Sequence, residues 1–132
     1  MPLEITEFNH VQITVPSSAE QASKHFYGTI LGLEEIPKPS SPRSPRSKRG
    51  AWYRCGGVDL HLSVEDLPAD NRASRRHVCF MVPNLEEAEA TMREAAIEII
   101  ADNQPIDGWR RFYVRDPGGN RIEIAERSKQ KR

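Results

Sequence analysis

From Phe8 to Val15 apolar and polar residues alternate, with Val11, Ile13 and Val15 on one face and His10, Gln12 and Thr14 on the other. A period of two marks a half-buried strand. Pro16 ends it, and Ser17 or Ser18, followed three residues on by Glu20 or Gln21, predicts a capped helix. Ala22, Phe26, Ile30 and Leu31 keep the helical spacing, and Gly32 closes the helix as its C-terminal glycine. Leu33 to Ile36 reads as a short strand. Ala51 to Cys55 and Val58 to Val64 form a hairpin around Gly56-Gly57. The first half is therefore β-α-β-β-β.

The second half repeats this order. His10-Val11-Gln12-Ile13-Thr14-Val15-Pro16 returns as His77-Val78-Cys79-Phe80-Met81-Val82-Pro83, each copy opening on a histidine and stopping at a proline. Arg76 to Val82 reads as a strand. Asn84 then caps a helix with Glu87 at the capping-box position, and Leu85, Ala88, Met92 and Ala95 turn inward as it runs to about Ala96. Strands follow at Ile97 to Ile100, Trp109 to Arg115 and Arg121 to Ala125, the last two joined by the turn Asp116-Pro117-Gly118-Gly119-Asn120. The expected fold class is α+β, with two tandem βαβββ modules in one domain spanning 1–132. Module one covers about 5–65 and module two about 75–126. A duplicated unit places equivalent side chains around a pseudo-twofold axis, so two histidines on matching strands can converge.

Composition narrows the function. With 19 Lys and Arg against 19 Asp and Glu, there is no global charge to recruit nucleic acid. The apolar runs are far shorter than the ~20 residues that span a bilayer, so no membrane partner is expected. Met1-Pro2-Leu3-Glu4 lacks the basic start and apolar stretch of a signal peptide, and a cytoplasmic location is expected. Cys55 and Cys79 form no metal-type pair and read as reduced thiols. Residues 37 to 49 carry four prolines and five basic residues and read as a mobile loop, a solvated segment or a lid. The basic tail from Arg127 reads as solvated.

Strand parity places the candidate chemistry. His10, His61, His77 and Glu123 each lie opposite an aliphatic pair on their own strand: Val11 and Ile13, Leu60 and Leu62, Val78 and Phe80, Ile122 and Ile124. Three imidazoles and a carboxylate on one face suit a divalent transition metal, one per site, with nickel, zinc, manganese and iron all compatible. Singly, each strand histidine or glutamate is more often a hydrogen-bonded or solvated residue; their common parity in two repeats raises the joint reading. Gln12, Thr14, Trp109, Arg111 and Tyr113 share that face as candidate substrate contacts, with Cys79 and Met81 beside them. Trp109 and Tyr113 would offer flat walls and Arg111 a bidentate anion clamp. Glu123 could also serve as a catalytic base, or His61 if it is not a ligand. His25, in the first helix, reads as structural.

The run Arg111-Phe112-Tyr113-Val114-Arg115-Asp116-Pro117-Gly118-Gly119-Asn120-Arg121-Ile122-Glu123-Ile124, with Asn9-His10-Val11 and Phe26-Tyr27 before Leu31-Gly32-Leu33, resembles the vicinal oxygen chelate superfamily. That superfamily includes glyoxalases, bleomycin-resistance proteins, fosfomycin-resistance transferases and extradiol dioxygenases. The resemblance implies that the two modules form a cupped mixed sheet with helices on its outer face, with metal positions at His10, His61, His77 and Glu123, and a homodimer with sites between modules. It implies a metal-dependent enzyme acting on a small oxygen-chelating molecule, glyoxalase-like lyase or isomerase chemistry first. The alternatives are an extradiol-type dioxygenase or a metal-free protein that sequesters a small molecule of the antibiotic type. Where His61 stands, glyoxalase-type members often carry glutamate or glutamine, so the chain departs from that pattern.

Overall fold

In a computed structural model, residues 2–39, 49–67 and 70–127 are described, and the chain divides into two compact units, 1–66 and 67–132. Unit one holds β1 (His10–Val15), a 3-10 turn at Ser17–Ala19, α1 (Glu20–His25), β2 (Glu34–Ile36), β3 (Ala51–Cys55) and β4 (Val58–Val64). Unit two holds β5 (His77–Met81), α2 (Leu85–Glu94), β6 (Ile100–Ala101), β7 (Trp109–Arg115) and β8 (Arg121–Arg127). Each unit builds one four-stranded mixed sheet, in the orders β1-β4-β3-β2 and β5-β8-β7-β6. The orders are identical once the numbering is shifted by four, so the repeat in the sequence is a repeat of topology. The fold is α+β, made of two tandem βαβββ modules. Of the loop predicted at 37–49, residues 40–48 lie outside the described residues, as does the tail beyond Arg127.

Register confirms the parity argument strand by strand. In unit one Val11 and Ile13 pair with Leu60 and Leu62, which pair in turn with Tyr53 and Ala51. Leu60, Leu62, Tyr53 and Ala51 are buried. On the opposite face Gln12, His61 and Trp52 stand in one row. In unit two the apolar row is Phe80, Ile124, Phe112, and the opposite row is Cys79, Glu123, Tyr113. The aliphatic faces are apolar because each must shed water against its helix.

The first helix departs from its prediction in three ways. Neither serine caps it through its side chain; Ser17 instead donates its backbone N–H and hydroxyl to Asp66, at 2.7 and 3.1 Å. Glu20, expected in a capping box, accepts the Gly50 N–H at 2.9 Å, which with neighbouring Lys24 holds its carboxyl below the usual range despite partial burial. Beyond His25 the helix widens into a π turn over Phe26–Ile30. The inward face is then Ala19, Ser23, Phe26 and Tyr27, while Ala22 is exposed. These four stand at i, i+4, i+7 and i+8, one face of a helix, and the two large rings pack edge to face at 4.9 Å.

The second helix follows its prediction more closely. Asn84 caps α2 by accepting the Glu87 N–H at 3.0 Å, and Leu85 and Met92 are buried. It stops at Glu94, because Ala96 turns left-handed at φ 59°. The strand expected at Ile97 forms only at Ile100–Ala101. The hairpin at Gly56-Gly57 and the strands β3, β4 and β7 have their predicted bounds.

The turn between β7 and β8 is held by a buried carboxylate. Asp116 accepts backbone N–H groups of Gly118 and Asn120 at 3.0 and 2.8 Å and the Asn120 side-chain amide at 3.0 Å. These bonds fix where β8 begins, and so where Glu123 lies.

Candidate functional site

Glu123 is the chemical centre of unit two. It is 3% exposed, in the middle of β8, with Cys79 and Tyr113 on either side in register. One carboxylate oxygen, Oε1, lies 2.9 Å from His77 Nε2. The other, Oε2, accepts the Trp109 indole N–H at 2.9 Å and the Arg111 Nη1 at 3.5 Å. Burial pushes this carboxyl up, but bonds from Trp109 and Cys79, with the charges of Arg111 and His77, outweigh it and hold Glu123 below its ordinary value. The group is a carboxylate at neutral pH.

His77 is oriented from both sides. Its Nδ1 lies 3.0 Å from the Arg75 carbonyl and its Nε2 faces Glu123. A carbonyl only accepts, so Nδ1 carries a proton. An ionised carboxylate also only accepts, so Nε2 either carries a second proton or gives its lone pair to a cation shared with Glu123. A backbone carbonyl behind one ring nitrogen, with the other nitrogen aimed at a carboxylate, is the arrangement that orients a metal-ligating histidine. The donor set of this pair therefore fits a divalent transition metal. Among the described residues, no group of three or more His, Cys, Asp or Glu side chains is gathered for a metal ion.

Arg111 is committed to the protein. Its Nε donates to Asp102 at 3.0 Å, its Nη2 to the Gln104 carbonyl at 2.9 Å, and its Nη1 reaches Glu123. The Arg111 guanidinium holds Asp102 well below the usual carboxylate range. Every nitrogen of the expected anion clamp is thus already in use. Trp109 is likewise bound to Glu123, and Tyr113, 6% exposed, lies edge-on to His77 at 5.8 Å. Trp109 and Arg111 brace the carboxylate in this structure, and Tyr113 stands beside it in register. A groove of 780 Å³ opens beside Arg111, where apolar Leu85, Ile97 and Phe112 alternate with charged Glu89, Arg93 and Asp102. It includes neither His77 nor Glu123.

In unit one the matching positions form an aromatic stack. Trp52 lies parallel to His61 at 4.2 Å and 11°, and tilted to His10 at 5.1 Å. Burial, followed by the charges of Lys38 and His10, pushes His61 down and keeps its imidazole neutral. Gln12 donates to Ser63 at 2.9 Å, Thr14 stands in register with Ser63, and His10 touches Asn9 at 2.8 Å. His25 is exposed at the end of α1. His61 and Glu123 occupy equivalent rows of their sheets, beside Gln12 and Cys79.

Sequence reasoning passed over Trp52, Asp102 and Arg121. Trp52 was within reach, since a two-residue turn at Gly56-Gly57 pairs it directly with His61. Asp102 gave no signal, because it follows a two-residue strand in an irregular stretch.

The repeated βαβββ unit with an imidazole–carboxylate pair on its polar face defines a class of small α+β proteins. The chain belongs to the Glyoxalase/Bleomycin resistance protein/Dioxygenase superfamily, whose family model matches residues 7–124. It is similar to a glyoxalase family protein from Bacillus anthracis, at 35% identity over 97% of this chain and 100% of the other, with a TM-score of 0.82. A glyoxalase/dioxygenase from Nostoc punctiforme is 29% identical over 93% and 92%, with a TM-score of 0.76. A lactoylglutathione lyase from Agrobacterium tumefaciens shares the fold, at 23% identity over 93% and 95% and a TM-score of 0.69. No curated protein sequence matches the chain. No helix among the described residues is long and apolar enough to cross a membrane.

Proposed function

We propose that this chain is a divalent-metal-dependent enzyme acting on a small molecule with adjacent oxygens, in lyase or isomerase chemistry of the glyoxalase kind. The observation that carries this reading is the setting of His77, backed by the Arg75 carbonyl and facing an ionised, buried Glu123 at 2.9 Å. His77 and Glu123 would hold the metal, nickel, zinc, manganese or iron, in a chain that acts as a homodimer. Bound there, a dication would act as a Lewis acid on the substrate oxygens.

The residues divide the remaining work. Trp109 and Arg111 fix Oε2 of Glu123, leaving Oε1 for the face where His77 points. Asp102 offsets the charge of Arg111 beside it. A carboxylate held below its ordinary value is a weak base, so Glu123 suits a ligand better than a proton shuttle. His61, kept neutral, is the better proton acceptor if it does not ligate.

One observation favours a second reading, a metal-free binding protein that sequesters its ligand. Both oxygens of Glu123 already have protein partners in His77, Trp109 and Arg111. Metal analysis by plasma mass spectrometry on protein purified without a histidine tag separates the two. Near one equivalent per chain, lost in His77→Ala, supports the enzyme. Protein that arrives metal-free and refuses added nickel, zinc, manganese and iron overturns it in favour of sequestration.

A further inference from the structure

Arg111 and Arg121 both reach the ring of Tyr113, and only one of them is spent. Arg111, its guanidinium carbon 5.5 Å from the ring centroid, has given its nitrogens to Asp102, Gln104 and Glu123. Arg121 lies closer, at 3.9 Å, and among the described residues no hydrogen bond or ion pair engages it. Asp102 feels its charge, but that carboxylate is already bonded to Arg111 and to the Gln104 N–H.

The placement of Arg121 is set by the sheet. It precedes Glu123 by two positions on β8, so it shares the Glu123 face, and it stands in register with His77 on one side and Arg115 on the other. Arg115 on that side is directed to the Gly119 carbonyl at 2.9 Å. Two residues along a strand span about 7 Å, which separates the Arg121 and Glu123 backbones. Tyr113 itself is nearly buried and flanked edge-on by His77, so it offers a fixed surface.

A guanidinium stacked on such a ring loses much of its freedom but keeps the donors in its plane. Ordering a long side chain beforehand is what makes an anion site selective, since the cost of fixing it is not charged to binding. Two parallel N–H groups match the two oxygens of a carboxylate or phosphate.

We propose that Arg121 is an anion anchor on the His77–Glu123 face, and that the ligand of this face carries a carboxylate or phosphate a short spacer away from its chelating oxygens. The proposal deepens the reading of this site given above and rests on that placement of the ligand's oxygens. It moves the anion-binding role from Arg111, where the sequence pattern had put it, to Arg121.

Isothermal titration of the purified full chain, as isolated and again with one equivalent of manganese, tests this with three probes: glycerate, dihydroxyacetone phosphate and neutral dihydroxyacetone. The wild type should bind at least one anion about tenfold or more tighter than dihydroxyacetone, in line with a charge-assisted pair. Arg121→Gln should bring the anion to near parity and leave dihydroxyacetone unchanged, and Arg121→Lys, which keeps the charge without the paired donors, should keep only part of the preference. Should Arg121→Gln fail to fold, Arg121→Met, which keeps an apolar stem over Tyr113, carries the same expectation. Whichever anion is preferred identifies the ligand as carboxylate or phosphate. No anion preference in the wild type, or an unchanged preference in Arg121→Gln, overturns the proposal. An anion preference in protein that retains no metal sinks only the enzyme reading; retained metal without the preference sinks only the anchor.

Discussion

His77 and Glu123 face each other across two parallel strands, two residues out of register, with Nε2 and Oε1 2.9 Å apart. The pair is held open to use by what stands behind it. The Arg75 carbonyl fixes the ring, and Trp109 with Arg111 fixes the carboxylate. Such outer contacts tune a site as strongly as its first contacts do.

Glu123 should give the protein an acid-sensitive stability. Its carboxyl sits below the ordinary value of 4.5 in the folded state. On acidification the unfolded chain takes up the proton first, so stability present above pH 4.5 falls as pH drops through the folded value. Urea unfolding between pH 7 and pH 3 should show this decline, flattened in Glu123→Gln. An unaltered slope in the variant would show that other carboxylates dominate.

Asp102 and Arg111 should be energetically coupled. Both side chains are only 11% exposed and meet at 3.0 Å, so screening by water is limited. Asp102→Ala should cost about 1–3 kcal/mol, because it leaves a confined guanidinium without its main acceptor. A double-mutant cycle with Arg111→Ala should return a coupling of at least about 0.5 kcal/mol. Additive losses would mean that the pair is incidental.

Cys79 should be a sluggish nucleophile. Loss of water around the thiol, and then the adjacent Glu123 carboxylate, push it up to about 12, although the residue as a whole is exposed. Alkylation by iodoacetamide at Cys79, followed by peptide mass spectrometry, should show no inflection below about pH 10, since the thiolate is the reacting species. Glu123→Gln should lower the inflection while burial keeps it above that of a free thiol.

Gly50 should tolerate no side chain. Its φ is 77°, and a Cβ there would lie 2.3 Å from the Leu62 carbonyl oxygen, which is backbone and cannot swing aside. The same residue donates its N–H to Glu20. Gly50→Ala should cost about 2 kcal/mol or more in denaturant unfolding. Gly56, also at positive φ but with open space around its Cβ position, should cost less when changed to alanine.

Much of this protein was legible in its sequence, for a physical reason. A strand alternates its side chains strictly, so parity alone put His10, His61, His77 and Glu123 opposite the aliphatic positions of their strands. The repeated strand–proline–helix pattern showed the duplication, and Gly56-Gly57 set the register that stacks Trp52 on His61. The first helix was read less well: Ser23 rather than Ala22 is buried, because the inward face runs through Ala19, Ser23, Phe26 and Tyr27, and a small polar residue conceals that phase in the sequence. What only the tertiary structure decided is how side chains far apart in the chain spend their hydrogen bonds. Arg111 looks like a clamp until Asp102 and Gln104, from an irregular stretch, occupy it. Arg121 looks like a solvated strand residue until Tyr113 lies beneath it. Local periodicity fixes which face a side chain takes; which partner it meets there depends on segments that approach only when the sheet is built.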